Sequence, residues 1–206
     1  MSMYSLVRAL ATGATLTVWT VMMPAVAQTS PRHIRGTIES VQDHTVALKT
    51  SRGATDNITL ADDTKVFMVS PADMSAIKTG KFVGITSVEQ GGKAVAVEVH
   101  VFDDSLRGLG EGHYPWDLES SPNMMTNANI AQVEAVGGDR VLKLDYKGGT
   151  QNIAVPPSAT VVEFTASTPD QLKAGAKVFA IAHAQPDGKL VAAAIVVGKD
   201  GIRPPM

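Results

Sequence analysis

GKAVAVEVHV at residues 92–101 and GKLVAAAIVV at residues 188–197 are two versions of one strand, 96 positions apart. In the first, Val95, Val97, Val99 and Val101 alternate with Ala96, Glu98 and His100, the period-two pattern of a strand with one buried face. Glu98 is therefore expected on a solvated face, like Lys143 and Asp145, and His100 and His183 read as satisfied sheet residues. Further landmarks recur outward from this pair: Asn57-Ile58 with Asn152-Ile153, Gly80 with Gly175, Thr64 with Thr160, and Ile38 with Ile130. Their offsets drift by a few residues, as loop insertions and deletions produce. The chain reads as two copies of one module, at 32–103 and 127–201.

Each copy reads as a run of short strands. In the first they are expected at 34–41, 45–50, 57–60, 65–69, 82–88 and 94–102. Each is rich in β-branched residues and bounded by Gly, Asp or Pro. Residues 71–77 suit a short helix, opened by Ser70-Pro71 and closed by Thr79-Gly80; in the second copy Thr168 would cap, Pro169 would start and Gly175 would end its counterpart. A small, strongly curved sheet usually removes its edges by closing. The expected fold is all-β: two tandem small OB-like β-barrels, each with one short helix, joined by an irregular Gly/aromatic connector at 104–126. Residues 202–206 read as a frayed tail.

The opening Gly36-Thr37-Ile38, the mid-module Ile77-Lys78-Thr79-Gly80 and the closing Gly92-Lys93-Ala94-Val95-Ala96 carry a resemblance. So do Leu172-Lys173-Ala174-Gly175 and Asp187-Gly188-Lys189-Leu190-Val191-Ala192 of the second copy, whose opening Ala128-Asn129-Ile130 lacks the glycine. The chain resembles an uncharacterised bacterial periplasmic protein with OB-like β-barrel domains. The resemblance implies a fold and says little about activity. Proteins similar to the whole chain are sometimes labelled metal-transporter permeases, a label that a sequence without membrane-spanning segments does not support.

The first residues bear on compartment. Arg8 is followed by an uncharged, mostly apolar stretch at 9–23 and then by Pro24-Ala25-Val26-Ala27-Gln28, the small-residue pattern of a signal-peptidase site. Residues 1–27 are expected to be a signal peptide cleaved after Ala27, which makes the mature protein periplasmic with no stable membrane span. Loss of Arg8 takes the formal net charge from −2 to −3. With no basic cluster, a nucleic-acid partner is not expected. The chain has no cysteine, so neither disulfides nor thiolate chemistry is available.

GLGEGHYPWDL at 108–118 belongs to neither copy. Its Tyr114 and Trp116, with Met124 and Met125 just beyond, would rather be buried than solvated, which suits a segment docked in the seam between modules. A metal reading takes Glu111, His113 and Asp117 as ligands for a divalent ion, or Met124 and Met125 for Cu(I). Against it stand a single histidine and no His-x-His spacing, so no cofactor is assigned. The glycines lack the strand and helix context of a nucleotide loop, and no Gly-x-Ser-x-Gly elbow marks a hydrolase. The sequence supports a non-enzymatic binding or interaction protein acting at 108–125, with an envelope protein or small ligand as partner. The alternative is a metal-handling protein.

Overall fold

The computed structural model describes residues 30–118 and 122–206, so the expected signal peptide lies outside the described residues. Twelve strands form one continuous sheet. They are β1 (Arg32–Gln42), β2 (Thr45–Thr50), β3 (Thr55–Pro71), β4 (Phe82–Gln90), β5 (Lys93–Phe102), β6 (Gly112–Trp116), β7 (Asn123–Val136), β8 (Asp139–Tyr146), β9 (Gly149–Val155), β10 (Thr160–Ala166), β11 (Lys177–Ala184) and β12 (Leu190–Gly198). Among the described residues no helix is long and apolar enough to cross a membrane.

The strands close into rings, but not within each copy of the repeat. In the first ring β1 pairs with β2, β2 with β3, β3 in parallel with β12, β12 with β11, and β11 back with β1. A second circuit runs β7–β8–β9, then β9 in parallel with β5, β5 with β4, and β4 with β7. Each ring thus takes three strands from one copy and two from the other. The boundaries at 103 and 127 divide the repeat in sequence, while the hydrogen-bonded units cross them. Seen along the chain, the strands of the second ring all lie between Phe82 and Val155, interrupted only by β6, and those of the first lie on either side.

The repeat landmarks meet in trans. Gly175 N–H donates to Ile38 O at 2.8 Å and Ile38 N–H donates to Ala176 O at 2.9 Å; Gly80 N–H donates to Ile130 O at 2.8 Å and Ile130 N–H donates to Lys81 O at 2.8 Å. The β-bulges repeat too: Ile181/Ala182 in β11–β12 matches Thr86/Ser87 in β4–β5. Register sets further equivalences, Arg32 with Met124, Asp56 with Gln151, Asn57 with Asn152, and Glu98 with Ala194. The missing opening glycine also has a cause. A Cβ on Gly36 would lie 2.5 Å from Lys49 O, whereas Ala128, its counterpart, fits fully buried.

Three apolar clusters follow. Ile38, Leu48, Ile58 and Ile195 fill the first ring, with Leu172 packed among them from the β10–β11 connection. Ile85, Val99, Leu142 and Ile153 fill the second, joined by Ile77 from the β3–β4 connection. The third cluster holds strands of both rings together and contains all five phenylalanines of the chain: Phe67, Phe82, Phe102, Phe164 and Phe179. Its ring centroids stand 4.8 Å apart for Phe102–Phe164 and 5.0 Å for Phe67–Phe164, ordinary aromatic packing distances.

Several sequence expectations are replaced. The two short helices are single 3-10 turns at Met74–Ala76 and Pro169–Gln171. Asp73, not Ser70, caps the first, accepting from Ser75 N–H at 2.7 Å. Thr168 donates to the Asp170 carboxylate and leaves the turn without a side-chain cap. Residues 202–206 are not frayed: Met206 is buried in the third cluster, Ile202 packs against it, and Arg35 Nε donates to Met206 O at 2.6 Å.

Glu98 is 2% exposed, not solvated, because β5 has the second ring's interior on one face and the third cluster on the other. Lys143 and Asp145 are exposed as expected.

Candidate functional site

The connector begins with Arg107, which donates to Gly80 O at 2.9 Å and to the side chains of Asn129 and Asp104. Gly108 and Gly110 then adopt positive φ values of 87° and 60°, which a residue with a Cβ rarely tolerates. That path aims the Leu109 and Gly110 carbonyls at Asn127 Nδ2, at 3.3 and 3.0 Å. The chain next becomes β6, an edge strand antiparallel to β7 with His113 opposite Thr126 and Pro115 opposite Met124. Pro115 removes a donor from that edge, one of the ways edge strands are blunted.

Trp116 ends the strand at the first ring, 4.6 Å from the His33 ring and 6.0 Å from Phe179. Asp117 accepts from His33 Nδ1 at 2.9 Å and from Arg35 at 3.0 and 3.5 Å. Burial alone would raise its pKa. The hydrogen bonds from Arg35 and His33 outweigh that, and the carboxyl lies below its usual range.

The proposed metal ligands therefore have other partners. Asp117 is committed to β1. Glu111 accepts from Lys147 N–H at 3.1 Å in the β8–β9 turn. His113 Nδ1 is 2.8 Å from Thr126 Oγ1, and its ring stacks 6.0 Å from Tyr146. No three His, Asp or Glu side chains among the described residues stand close enough to hold a metal ion. Of the seam residues, Tyr114 receives a hydrogen bond from Asn127 Nδ2 at 3.2 Å, and burial raises its pKa. Met125 is buried, while Met124 remains half-exposed.

Met124 and His113 share instead in a cleft of about 1000 Å³ on the second ring. One wall is the β4–β5 turn with Glu89, Gly92 and Lys93; another is β9 with Thr150, Gln151 and Asn152. Between these walls β5 and β9 pair at only two positions, Ala94 with Ile153 and Val95 with Ala154. Val88 and Val141 supply apolar surface, and Pro122, His113 and Met124 close the side nearest the connector.

Beside a cleft of about 440 Å³ with which it shares Arg32 and Asp56, the first ring carries in the equivalent place one of about 400 Å³, lined by Gly188, Lys189, Thr55, Asp56, Asn57 and Arg32 among others. Each of the two equivalent clefts is thus built from the Gly-Lys of one copy and the Thr-x-Asn of the other. The Gly-Lys pairs and Asn57 and Asn152 were visible as repeat landmarks; their convergence was not, since it needs pairing between copies.

A second feature has no counterpart in the first ring. Thr86, Glu98 and His100 are all buried, where the equivalent register positions hold Ile181, Ala194 and Val196. Thr86 Oγ1 donates to Glu98 Oε1. Glu98 Oε2 and His100 Nε2 are 3.9 Å apart, and neither has a hydrogen-bond partner. Burial pushes the Glu98 carboxyl up to about 8, against the pull of the Thr86 bond and the Arg35 charge, and pushes His100 down to about 4. Near neutrality both side chains are uncharged.

No family model, curated protein or solved structure matches this chain.

Proposed function

We propose that this chain is an exported, non-enzymatic binding protein that takes a polar small molecule in the cleft of its second ring. The observation that carries the proposal is the asymmetry of the duplicated cleft. The same repeat elements enclose about 1000 Å³ in the second ring, where the connector adds His113 and Pro122, while the first ring has two separate clefts of about 400 and 440 Å³ that share Arg32 and Asp56. The larger volume is at the upper end of ordinary ligand sites. Strand order supports the reading. With β1 and β7 each counted as strand one, and the β11–β12 and β4–β5 pairs as strands four and five, each ring runs 1-2-3-5-4 with strands three and five parallel. This is an OB-like arrangement, permuted in the second ring because β4 and β5 precede β7 in the chain. OB-like barrels bind ligands on the face of strands two and three and the loop joining four and five. In the second ring these are β8, β9 and the β4–β5 turn, which line the cleft. Export is supported by the pattern at 1–27.

The test fills the cleft from an exposed position. Asn152→Trp projects an indole from the outer face of β9 without touching the core. Wild type and variant are incubated with the small-molecule fraction of a bacterial envelope extract and followed by thermal melting and native mass spectrometry. The reading expects the extract to raise the melting temperature of the wild type and to leave a bound mass, with the variant showing neither. Equal behaviour of the two proteins refutes it.

A further inference from the structure

The two clefts are internal references for one another, and their charges differ in a telling way. In the first-ring cleft each cation has a carboxylate: Lys189 Nζ lies 3.2 Å from Asp187 Oδ2, and Arg32 lies 3.5 Å from Asp56 Oδ2. The register carries these positions onto the second ring as Lys93, Gly91, Met124 and Gln151. The lysine is kept, the arginine is gone, and both carboxylates are gone with it. Lys93 has no ion-pair partner among the described residues. In the first cleft, Asp187 occupies the place of a carboxylate bound to the repeat's lysine.

One carboxylate has been added in exchange. Glu89 stands opposite Ala94, where Ala184 stands opposite Leu190 in the first ring. Glu89 lines the cleft and, among the described residues, pairs with no cation, Lys93 included. The larger cleft therefore presents one free ammonium and one free carboxylate, and its lining also supplies the hydrogen-bonding groups of Ser87, Thr150, Gln151 and Asn152 and the apolar surface of Val88 and Val141. A polyanion such as a phosphate chain would meet one cation and a like charge, an unfavourable exchange on leaving water. A neutral sugar would leave both charges unused.

Resting on the binding reading above, we infer that the second-ring cleft takes a small zwitterion of the short-peptide class, its carboxylate on Lys93 and its ammonium on Glu89. Peptide amides suit the Thr150–Gln151–Asn152 wall, and about 1000 Å³ accommodates a few residues.

The experiment is a titration of the ¹⁵N-labelled mature protein, residues 28–206, with defined probes: trialanine, its C-terminal amide, its N-acetyl derivative, inorganic phosphate and maltotriose. Trialanine is expected to shift the amide resonances of Gly92, Lys93, Gln151 and Asn152. Amidation of the probe and Lys93→Gln should each weaken binding at least tenfold. Glu89→Gln should weaken trialanine several-fold and leave the N-acetyl derivative unchanged. Lys189→Gln, in the other cleft, should change nothing.

Equal binding of trialanine and its amide, or full affinity in Lys93→Gln, overturns the assignment. So does a shift of the same resonances by phosphate or maltotriose in preference to trialanine. Failure of every probe while the envelope extract still stabilises the wild type over Asn152→Trp removes the zwitterion and leaves the cleft. Failure of the extract as well removes both.

Discussion

Glu98 offers the sharpest test of the structure, because its surroundings dictate a pH dependence with a definite sign. Its carboxyl is raised from 4.5 to about 8 and the neighbouring His100 lowered from 6.5 to about 4, both by burial. Between pH 4.5 and 8 the folded protein keeps a proton on Glu98 that the unfolded chain has lost, so stability falls as pH rises, by about 1.4 kcal/mol per pH unit. Between pH 4 and 6.5 the unfolded chain holds a proton on His100 that the folded protein refuses, so stability rises with pH at the same rate. From 4.5 to 6.5 the two gradients cancel. Above 6.5 only Glu98 remains, and about 2 kcal/mol should be lost by pH 8. Glu98→Gln removes that proton while keeping a side chain that can bond Thr86. Urea unfolding at half-unit steps from pH 5 to 9 gives the comparison. The wild type should be level to pH 6.5, decline to about 8 and level again, while Glu98→Gln stays level above 6.5. A wild-type curve without the decline, or a variant that declines in parallel, would show that Glu98 is not held neutral between the rings.

Three further outcomes follow from the packing. Cleavage at a protease site placed at residues 119–121 should leave the two fragments eluting as one particle, separable only in denaturant, because each ring contains strands from both; separation in native buffer would refute the ring assignments. Gly36→Ala should cost about 2–3 kcal/mol, since its Cβ meets the Lys49 carbonyl at 2.5 Å, whereas Ala128→Gly at the equivalent position should cost about 1 kcal/mol; chemical denaturation measures both, and equal costs would count against the close approach. Arg35→Met removes the hydrogen bonds to Asp117 and Met206 O and the stacking of the guanidinium 5.0 Å from the Phe179 ring centre. It should cost about 1–3 kcal/mol and speed hydrogen exchange at 202–206; unchanged exchange there would mean that Arg35 does not pin the C-terminal residues.

Much of this fold was legible because strand chemistry is local. The strands at 45–50 and 82–88 follow from β-branched runs between turn residues, and β2 begins and ends where expected. The repeat was legible for the same reason, since equivalent backbone positions demand equivalent residues. Which strands close which ring was not, because a β-ladder looks the same in sequence whether its partner comes from the same copy or the other. Glu98 was misread from its own strand's alternation, which assumes a single buried face. Its counterpart lies in LVAAAIVV at 190–197, an unbroken apolar run that fits burial on both faces. In the connector the aromatic anchor could be foreseen. The engagement of Asp117 with His33 and Arg35, more than eighty positions away, could not.

The split of the first ring around the second also sets an order of assembly. All five strands of the second ring lie between Phe82 and Val155, so it can close on contacts of short and middle range as soon as that stretch is available. The first ring must join Arg32 to Ala182, across nearly the whole described chain, and its interior stays open until β11 and β12 arrive. Long-range pairing of this kind slows folding. During synthesis, β1–β3 would wait as an open sheet with Ile38, Leu48 and Ile58 uncovered, and the last strands made would be the ones that seal it.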